Sequence, residues 1–544
     1  MAERDEPGAD QAPIRCDVLV VGGGINGVGI ARDLAGRGWR VVLCEQDDLA
    51  SHTSSASTKL IHGGLRYLEH YEFGLVRKAL QEREVLLRSA PHIMRSLRFV
   101  MPHDPAMRPA WMIRAGLFLY DHLATRQWLP ASEGVDLRRH PAGAPLKPEF
   151  TRGFAYSDGW VDDARLVVLC ALDAAERGAT ILTRTRCLSA RRGADGWLAT
   201  LHNPAGLAIE VQARALVNAA GPWAESFLRE RARPQGGESL ATRHLRLVKG
   251  SHIVVPRLFE HDHAYIFQNP DRRIFFAVPY EGRFTLIGTT DVEWRGSPAD
   301  VAIEPSEIDY LCAHASRYFR RAVLPQHVVW HYAGVRPLIE DAAGDPSAVT
   351  RDYLLESRSD GAPLLTVWGG KLTTFRKLAE DAADDLGDLL GEARAPWTRH
   401  ALLPGGDLSE WLDEARLEYP QPPEEDLAAY LAELRRRLPW LGLPLARRYV
   451  HTYGSRVRRV LDGLASQADL GAEIAPGLHE VELHYLRRVE WAATAEDVLW
   501  RRTKLGLHYT PEQRQQVVAW FARHETSQAK EAFRTSWDAR HASR

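Results

Sequence analysis

A glycine-rich run near the start of the chain has the spacing of a dinucleotide-binding turn. Residues 22–27 satisfy the pattern G-x-G-x-x-G. In that pattern Gly22 permits the tight turn, Gly24 lets the backbone approach a pyrophosphate, and Gly27 allows close packing of helix on strand. Glu45 lies 23 residues after Gly22, where a carboxylate can accept hydrogen bonds from the adenosine ribose hydroxyls. The spacing predicts an adenine dinucleotide site but does not distinguish NAD from FAD.

The elements around this turn are those that the motif requires. An apolar strand over residues 18–21 precedes it, and a helical pattern runs to about residue 37 before a second strand at residues 40–45. Beyond about residue 395, proline and glycine mark a linker into a region of helical patterns. An inserted antiparallel sheet is predicted from strand-like runs separated by turn residues, at 251–255, 274–278 and 284–288.

The totals of the whole chain exclude several classes of protein. The 544 residues carry a net charge of −2, so no global field favours nucleic acid. The five cysteines are odd in number and scattered, without a C-x-x-C pair, which argues against a disulfide framework, a zinc site or an iron–sulfur cluster. We therefore expect no metal and a reducing cytosolic compartment. No run of 18 apolar residues exists, so we expect no membrane span. Residues 1–11 do not resemble a signal peptide.

The loop that follows Glu45 is rich in hydroxyl groups. Residues 51–67 offer serine and threonine side chains, backbone N–H groups and a single lysine, Lys59. Such a loop suits a pyrophosphate or the edge of a flavin. By composition alone, a solvated polar loop is the commoner case.

A family resemblance begins in this loop. Residues 53–70 closely resemble the quinone-linked, FAD-dependent glycerol-3-phosphate dehydrogenases of aerobic bacteria. Each further motif is short and unspecific by itself, whereas their occurrence in the family's order identifies the family. The motifs lie at residues 108–114, 157–165, 217–223, 249–252, 288–291, 334–337, 350–353, 369–374 and 500–504.

The resemblance implies an α/β fold: an FAD-binding Rossmann-like domain of the glycine/amino-acid-oxidase type, with an inserted antiparallel-sheet substrate domain and an all-helical C-terminal domain. We expect the FAD-binding domain to consist of residues 1–90, 151–245 and 331–395. The substrate domain takes residues 91–150 and 246–330, and the helical domain residues 396–544.

The same resemblance implies one non-covalently bound FAD. The strand that ends near Ala220 and Gly221 is expected to close over it, and the turn at residues 369–373 to approach the flavin ring. The full set of expected cofactor-binding residues is Gly22, Gly24, Gly27, Glu45, Thr53, Ser54, Ser57, Lys59, Gly64, Ala220, Gly221, Gly370, Leu372 and Thr373.

The implied substrate is sn-glycerol 3-phosphate, whose dianionic phosphate calls for converging arginine and lysine side chains. By resemblance, Arg351 and Lys371 bind the phosphate and Arg336 lies near the reacting hydroxyl, while Arg66 and Tyr67 complete the pocket. An arginine hardly deprotonates, so the base stays open between His62 and a desolvated Lys371. A structural role for His62 explains its presence equally well.

The resemblance also implies the electron acceptor and the location. The acceptor would be ubiquinone or menaquinone, reached by peripheral attachment to the inner face of the cytoplasmic membrane. Arginine-rich patches beyond residue 434, beside Trp440 and Leu441, are a candidate for membrane contact. A solvated helical face or a homodimer interface explains the same patches.

Three rival functions remain at this stage. A glycerol-3-phosphate oxidase, which passes electrons to oxygen and forms hydrogen peroxide, would have the same fold. An amino-acid oxidase needs only one arginine for a carboxylate, and four cationic candidates argue against it. A non-catalytic flavin scaffold would not need the cationic set.

Overall fold

The computed structural model describes residues 12–104, 108–234, 240, 242–269, 271, 273–339, 352–409, 411–412 and 422–524. The strands are β1 Ile14–Val21, β2 Val41–Cys44, β3 Leu60–Ile61, β4 Met94–Pro102, β5 Glu133–Asp136, β6 Arg152–Val161, β7 Thr180–Leu182, β8 Arg186–Arg192, β9 Trp197–His202, β10 Ala208–Asn218, β11 Ala232–Pro234, β12 Leu245–Pro256, β13 Ala264–Gln268, β14 Ile274–Tyr280, β15 Phe284–Gly288, β16 Val292–Trp294, β17 Trp330–Ile339, β18 Leu354–Arg358, β19 Leu364–Trp368, β20 Glu473–Ala475 and β21 Leu478–His479. The helices are α1 Ile25–Gly36, α2 Phe73–Ser89, α3 Ala110–His122, α4 Asp163–Glu176, α5 Ala224–Glu230, α6 Pro305–Tyr318, α7 Phe375–Leu390, α8 Pro423–Arg437, α9 Leu443–Tyr453, α10 Val457–Val460 and α11 Glu480–Val489.

The first sheet carries the dinucleotide motif. Its strand order in the described chain is β11-β8-β9-β10-β1-β2-β7, with β19 beside β10 and β18 beside β19. β1 pairs in parallel with both β10 and β2, so the predicted strand–helix–strand unit is present. Helices α1, α4 and α7 cover one face, and a second apolar cluster covers the other. Burial on both faces explains why β1 is a continuous apolar run.

The second sheet is the predicted insertion and is largely antiparallel. Its described strands run β16-β12-β15-β14-β13-β4-β6-β3, with β17 beside β12 and β5 beside β6. Two expected domain boundaries fall inside it. β6 pairs with β4, and β17 pairs with β12 over its whole length. These two strands therefore belong to the second sheet, whereas the expectation placed residues 152–161 and most of residues 330–339 in the FAD-binding domain.

The C-terminal region is helical, as expected, apart from the short hairpin of β20 and β21. Helices α8 to α11 enclose a core of their own, which includes Tyr430, Tyr449 and Trp520. This region therefore folds around a separate hydrophobic centre rather than extending the first sheet.

Buried ion pairs join this C-terminal core to the first sheet. Arg165 on α4 forms a two-pronged pair with Glu490, and both side chains are almost fully buried. Arg502 binds the two carboxylate oxygens of Asp48 at 2.6 and 2.7 Å. Asp48 follows Glu45 by three residues. The C-terminal region thus fixes the loop that leaves the end of β2.

Replacing Arg165 by methionine should leave the Glu490 carboxylate buried without a cation. Breaking one side of a buried pair costs about 3–5 kcal/mol, so we expect the free energy of unfolding to fall by about that amount and the thermal midpoint to fall with it. The double variant Arg165→Met/Glu490→Leu should recover most of the loss. Arg436→Met, which removes an exposed pair with Glu433, should leave the thermal midpoint close to that of the parent. Equal stability of Arg165→Met and the parent would contradict this role of the pair.

Candidate active site

A cavity of about 930 Å³ lies between the two sheets. One side is formed by the residues that follow the carboxyl ends of β1, β2 and β10, which is where open α/β sheets bind ligands. The other side is formed by the second sheet, through β12, β14 and β17. Its size is within the range of cofactor and ligand pockets.

The glycine turn has the geometry that its sequence predicts. Gly22 has a φ of +116°, and a side chain there would collide with the carbonyl oxygen of Ala219. A side chain at Gly27 would collide with the carbonyl oxygen of Gly22. Helix α1 begins after Gly24, which has no side chain to cap it. Ser54 Oγ accepts from the first N–H, that of Ile25, and the positive end of the helix faces the cavity, where it favours an anion.

Glu45 supports the turn from the end of β2. Its carboxylate accepts hydrogen bonds from the backbone N–H groups of Gly23 (2.6 Å) and Asp47 (2.9 Å). Burial raises the pKa of Glu45, and these two N–H groups oppose the shift. Glu45, Asp47 and His52 are the one group in the described chain close enough to share a metal ion. Because Asp47 also binds His52, internal hydrogen bonds account for this group.

Three hydroxyl groups of the loop bind three different elements. Ser54 Oγ accepts from the N–H of Ile25, and Thr53 Oγ1 donates to the carbonyl of Val335. Ser57 Oγ donates to Asp163 at 2.7 Å. Thr53, Ser54 and Ser57 also line the cavity, as does Gly64. The loop is therefore part of the packed wall and not a solvated segment.

Lys59 is placed differently from the expectation. Its Nζ lies 2.7 Å from a carboxylate oxygen of Asp163, with both side chains buried, and 5.1 Å from the ring centre of Tyr332. Burial lowers the pKa of Lys59, and Asp163 opposes the shift. The ammonium group holds the loop from behind, so Lys59 itself is not available to a cofactor phosphate. Its partner lies 104 residues away, beyond the reach of a local pattern.

The turn at residues 369–373 meets the glycine turn. Asn26 Nδ2 donates to the carbonyl of Gly369 at 3.0 Å, and Gly370 has a φ of +101°. Thr373 Oγ1 accepts from the N–H of His62. Asn26 was not among the expected site residues. The remaining expected cofactor residues on this wall are Ala220, Gly221, Gly370, Leu372 and Thr373.

The residues expected to bind the substrate lie along the same cavity. Arg66, Tyr67, Arg336 and Lys371 all line it, and Arg351 lies outside the described residues. Lys371 Nζ is buried and has no hydrogen-bond partner among the described residues, with the Tyr67 ring centre at 4.3 Å. A buried cation without an acceptor is costly. This position is therefore suited to an anionic ligand.

Arg336 extends from β17 with a carboxylate beside it. Its Nη1 lies 2.7 Å from Asp291, and Nη2 donates to the carbonyl of Thr290 at 3.2 Å. Arg336 and Asp291 are both partly exposed within the cavity wall. Asp291 was missed as a site residue, although it belongs to the motif at residues 288–291 that carries the resemblance.

His62 is a neutral imidazole at pH 7. Burial lowers its pKa, and the positive charges of Lys371 and Arg83 add to the shift, whereas Asp158 opposes it. Its Nδ1 accepts from the N–H of Gly64 at 3.1 Å. A ring nitrogen that accepts carries no proton, so in this tautomer the proton is on Nε2.

One face of the β12–β17 ribbon completes the wall. Val248 pairs with Arg336, and His252 pairs with Tyr332. Alternate residues of β12 therefore line the cavity, namely Arg246, Val248, Gly250 and His252. His252 stacks on Tyr332, and burial holds its pKa well below the ordinary value. Arg246 and His252 were not expected as site residues, although His252 ends the motif at residues 249–252.

The sequence of this chain matches known families and relatives. Residues 17–376 match the family of FAD-dependent oxidoreductases, and residues 397–528 match the C-terminal domain of alpha-glycerophosphate oxidase. A glycerol-3-phosphate dehydrogenase of Pseudomonas aeruginosa is 53% identical over 94% of this chain and 96% of its own length. A D-erythritol 1-phosphate dehydrogenase of Brucella abortus is 49% identical over 94% and 98%.

A solved structure extends the comparison to the fold. The FAD complex of a glycerol-3-phosphate dehydrogenase from Bacillus halodurans matches with a TM-score of 0.73 and 27% identity, over 96% of this chain and 92% of that one. The fold class expected from the sequence is confirmed.

Gly22→Ala should abolish retention of FAD, because a methyl group at this position meets the Ala219 carbonyl oxygen at a positive φ. The ratio of flavin to protein absorbance after purification measures this. Gly74→Ala is the matched control, since nothing lies within 4 Å of a side chain added there, and it should keep full flavin content. Circular dichroism reports whether the variants fold. A folded Gly22→Ala protein with full flavin content would show that the turn does not contact the cofactor.

Proposed function

This chain belongs to the family of FAD-dependent oxidoreductases, and on that premise we propose that it oxidises sn-glycerol 3-phosphate to dihydroxyacetone phosphate. The glycine turn and the loop at residues 53–57 would hold FAD, which would supply the acceptor for the hydride of the substrate carbon. The observation that carries the proposal is the buried ammonium of Lys371, which has no hydrogen-bond acceptor among the described residues and lies in the same cavity as the dinucleotide turn. Arg66 and Arg336 add positive charge to that cavity.

The relatives support the class of substrate. Two that cover nearly the whole chain carry names with different polyol phosphates, glycerol 3-phosphate and D-erythritol 1-phosphate. Both are phosphate monoesters of a polyol, so both need a cationic site and a group that handles a hydroxyl proton. We assign glycerol 3-phosphate because it is the substrate named for the relative with the higher identity.

The phosphate is bound by Lys371 in this proposal, together with Arg351 and Arg66. Lys371 supplies charge-assisted hydrogen bonds, and an arginine can form two parallel bonds to phosphate oxygens. Tyr67 holds the Lys371 ammonium over its ring, which keeps the cation in place before the substrate arrives.

Arg336 stabilises the charge that develops on the reacting oxygen. Asp291 and the carbonyl of Thr290 hold its guanidinium in place, so it need not reorganise during the reaction. An arginine remains protonated at neutral pH. It therefore acts by charge, and the hydroxyl proton goes to another group.

Asp291 and His62 both line the wall beside the reacting position. The Asp291 carboxylate already forms the ion pair that holds Arg336, so protonating it would release that guanidinium. His62 is neutral, and its Nδ1 accepts from the N–H of Gly64. Giving up one such hydrogen bond costs about 0.5–1.5 kcal/mol, whereas breaking an ion pair leaves a cation without its partner. We therefore assign the proton transfer to His62.

In this proposal the electrons then pass to a quinone, either ubiquinone or menaquinone. The protein reaches this acceptor at the inner face of the cytoplasmic membrane. Among the described helices, none has the length and apolar character of a membrane span. Oxygen as acceptor, with formation of peroxide, is the alternative, and the match of residues 397–528 to an oxidase domain favours testing it.

The function is tested by anaerobic titration of the purified flavoprotein. sn-Glycerol 3-phosphate should bleach the flavin absorbance at lower concentration than D-erythritol 1-phosphate, and glycine should not bleach it. Reoxidation by a quinone analogue should be fast, with little peroxide in air. Bleaching by amino acids alone would overturn the substrate, and stoichiometric peroxide would identify an oxidase.

Lys371→Met should weaken phosphate binding and leave the chemistry of the hydroxyl intact. A charged hydrogen bond contributes about 1.5–3 kcal/mol, so KM for glycerol 3-phosphate should rise roughly 10- to 150-fold. The small residual rate with glycerol, which has no phosphate, should barely change. Lys377→Met, which removes a lysine paired with Glu380 on α7, is the matched control. Equal losses with both substrates would show that Lys371 supports the flavin or the fold.

His62→Asn should lower kcat by about 10²- to 10⁴-fold. Protonation of His62 removes the base, and burial lowers its pKa. The parent's kcat/KM should therefore fall toward acid pH with a midpoint below about 6.5, and this fall should vanish in His62→Asn. Flavin content should be unchanged. An acid fall that persists in His62→Asn would transfer the role to another group.

A further inference from the structure

The C-terminal region places one tryptophan against the second sheet. Trp500 stacks on Trp330 of β17, with the ring centres 4.6 Å apart and the ring planes at 13°. The Trp330 ring lies 5.1 Å from that of Tyr332, and Tyr332 in turn stacks on His252 at 4.8 Å. Aromatic rings at such separations attract one another. Four rings therefore form a continuous row from the C-terminal region to the wall of the cavity.

This row lies on the face of β17 that also forms the cavity wall. Trp330, Tyr332 and Arg336 are separated by even numbers of residues, so their side chains point to the same side of the strand. Arg336 lines the cavity, whereas Trp330, at the start of the strand, meets Trp500. The C-terminal region therefore covers the start of a face whose other end forms the cavity wall.

Trp500 is itself held in place. It belongs to a π-helix, Asp497–Arg502, a rare kind of turn that is frequent at functional sites. A side chain added at Gly506 would come within 2.7 Å of the indole ring, so this glycine leaves the space that the ring occupies. Arg514 lies over the ring, 5.3 Å from its centre, and donates a hydrogen bond to the carbonyl of Gly506.

The same π-helix is tied to the first sheet by ion pairs. Arg501 and Arg502 both bind Asp48, which follows β2. Asp497 accepts two hydrogen bonds from Arg184, at 2.8 and 2.9 Å, just past the end of β7. The position of Trp500 is therefore fixed independently of β17, and its ring can support that strand.

The row ends at a ring nitrogen that faces no protein acceptor or donor. His252 is buried, and its Nδ1 has no hydrogen-bond partner among the described residues, whereas Nε2 lies 2.9 Å from Thr58 Oγ1. A buried polar atom without a partner is costly. Because the ring lines the cavity, Nδ1 suits a polar group of a bound molecule. Tyr332 sets the plane of this ring, since the two rings are within 15° of parallel.

We propose that Trp500 is a positioning residue for the cavity. Through Trp330 and Tyr332 it holds the His252 ring in the orientation that offers Nδ1 to a bound molecule. This inference rests on the proposed function for the identity of the substrate, and not for the arrangement of the rings. A tryptophan with a purely structural role would stabilise the C-terminal core and leave the surroundings of His252 unchanged.

Hydrogen exchange read by mass spectrometry on the purified flavoprotein tests the mechanical part. In Trp500→Leu, which keeps apolar bulk but loses the stack, amides of residues 328–334 and 250–256 should exchange at least about tenfold faster than in the parent. Trp411→Leu is the matched control, because Trp411 stacks on Tyr430 at 4.9 Å and 13° within the C-terminal core. It should leave those amides within about twofold of the parent.

Kinetics with glycerol 3-phosphate test the consequence for the cavity. Trp500→Leu should lower kcat/KM about tenfold, the upper range for one aromatic pair, at unchanged flavin content. Trp500→Phe, which keeps a ring, should stay within about threefold of the parent, and Trp411→Leu within about twofold. In a His252→Ala background the Trp500→Leu change should have little further effect, because both act through one ring.

Unchanged exchange of β17 in Trp500→Leu would overturn the proposal, as would an equal loss of kcat/KM in Trp411→Leu. A full tenfold loss that persists in the His252→Ala background would contradict the route through His252. Should Trp500→Leu fail to fold, Trp330→Leu removes the same stack from the side of β17 and carries the same expectations. A parent flavin that glycerol 3-phosphate does not reduce would defeat the proposed function, and the exchange comparison would still decide the role of Trp500.

Discussion

The buried ion pair between Lys59 and Asp163 fixes the loop at which the two sheets meet. Two buried charges are costly unless every lone pair and proton is satisfied. Asp163 accepts from Lys59, from the Ser57 hydroxyl and from the N–H of Ala164, and Lys59 also donates to the Ser55 carbonyl. With its rear anchored in this way, the loop can direct Thr53 toward β17 and Ser54 toward α1. Both walls of the cavity depend on that placement.

The two ends of the cavity offer positive charge by different means. At the glycine turn the protein offers the N-terminal end of α1 and backbone N–H groups. At the other end it offers Lys371 and Arg336, whose charges sit on side chains held by a ring and a carboxylate. Every residue except proline supplies the same backbone N–H group, whereas the charge of a side chain changes with the residue. This difference fits the two relatives described above, whose names give different polyol phosphates.

The sequence predicted the features that a single short segment encodes, and it predicted less well the features that depend on distant segments. The βαβ unit follows from an apolar run, a glycine spacing and a terminal carboxylate, all within residues 18–45. The cavity residues Arg66, Arg336 and Lys371 came only from the family resemblance, because a single arginine or lysine carries no positional information. The partner of Lys59 and the sheet membership of β6 and β17 depend on pairings between distant segments, which no short window contains. Asp291 and His252 stood in recognised motifs but had no role without the geometry.

Strand β12 divides its side chains between two environments. Arg246, Val248 and His252 face the cavity, while Lys249 turns the other way and binds Glu304 and Glu307. A one-residue insertion or deletion in β12 would exchange the two sets, placing Lys249 in the cavity and His252 among the carboxylates. Such a change would damage both environments together. Substrate preference can therefore change at β12 only by substitution of individual residues. Insertions and deletions must occur in the loops.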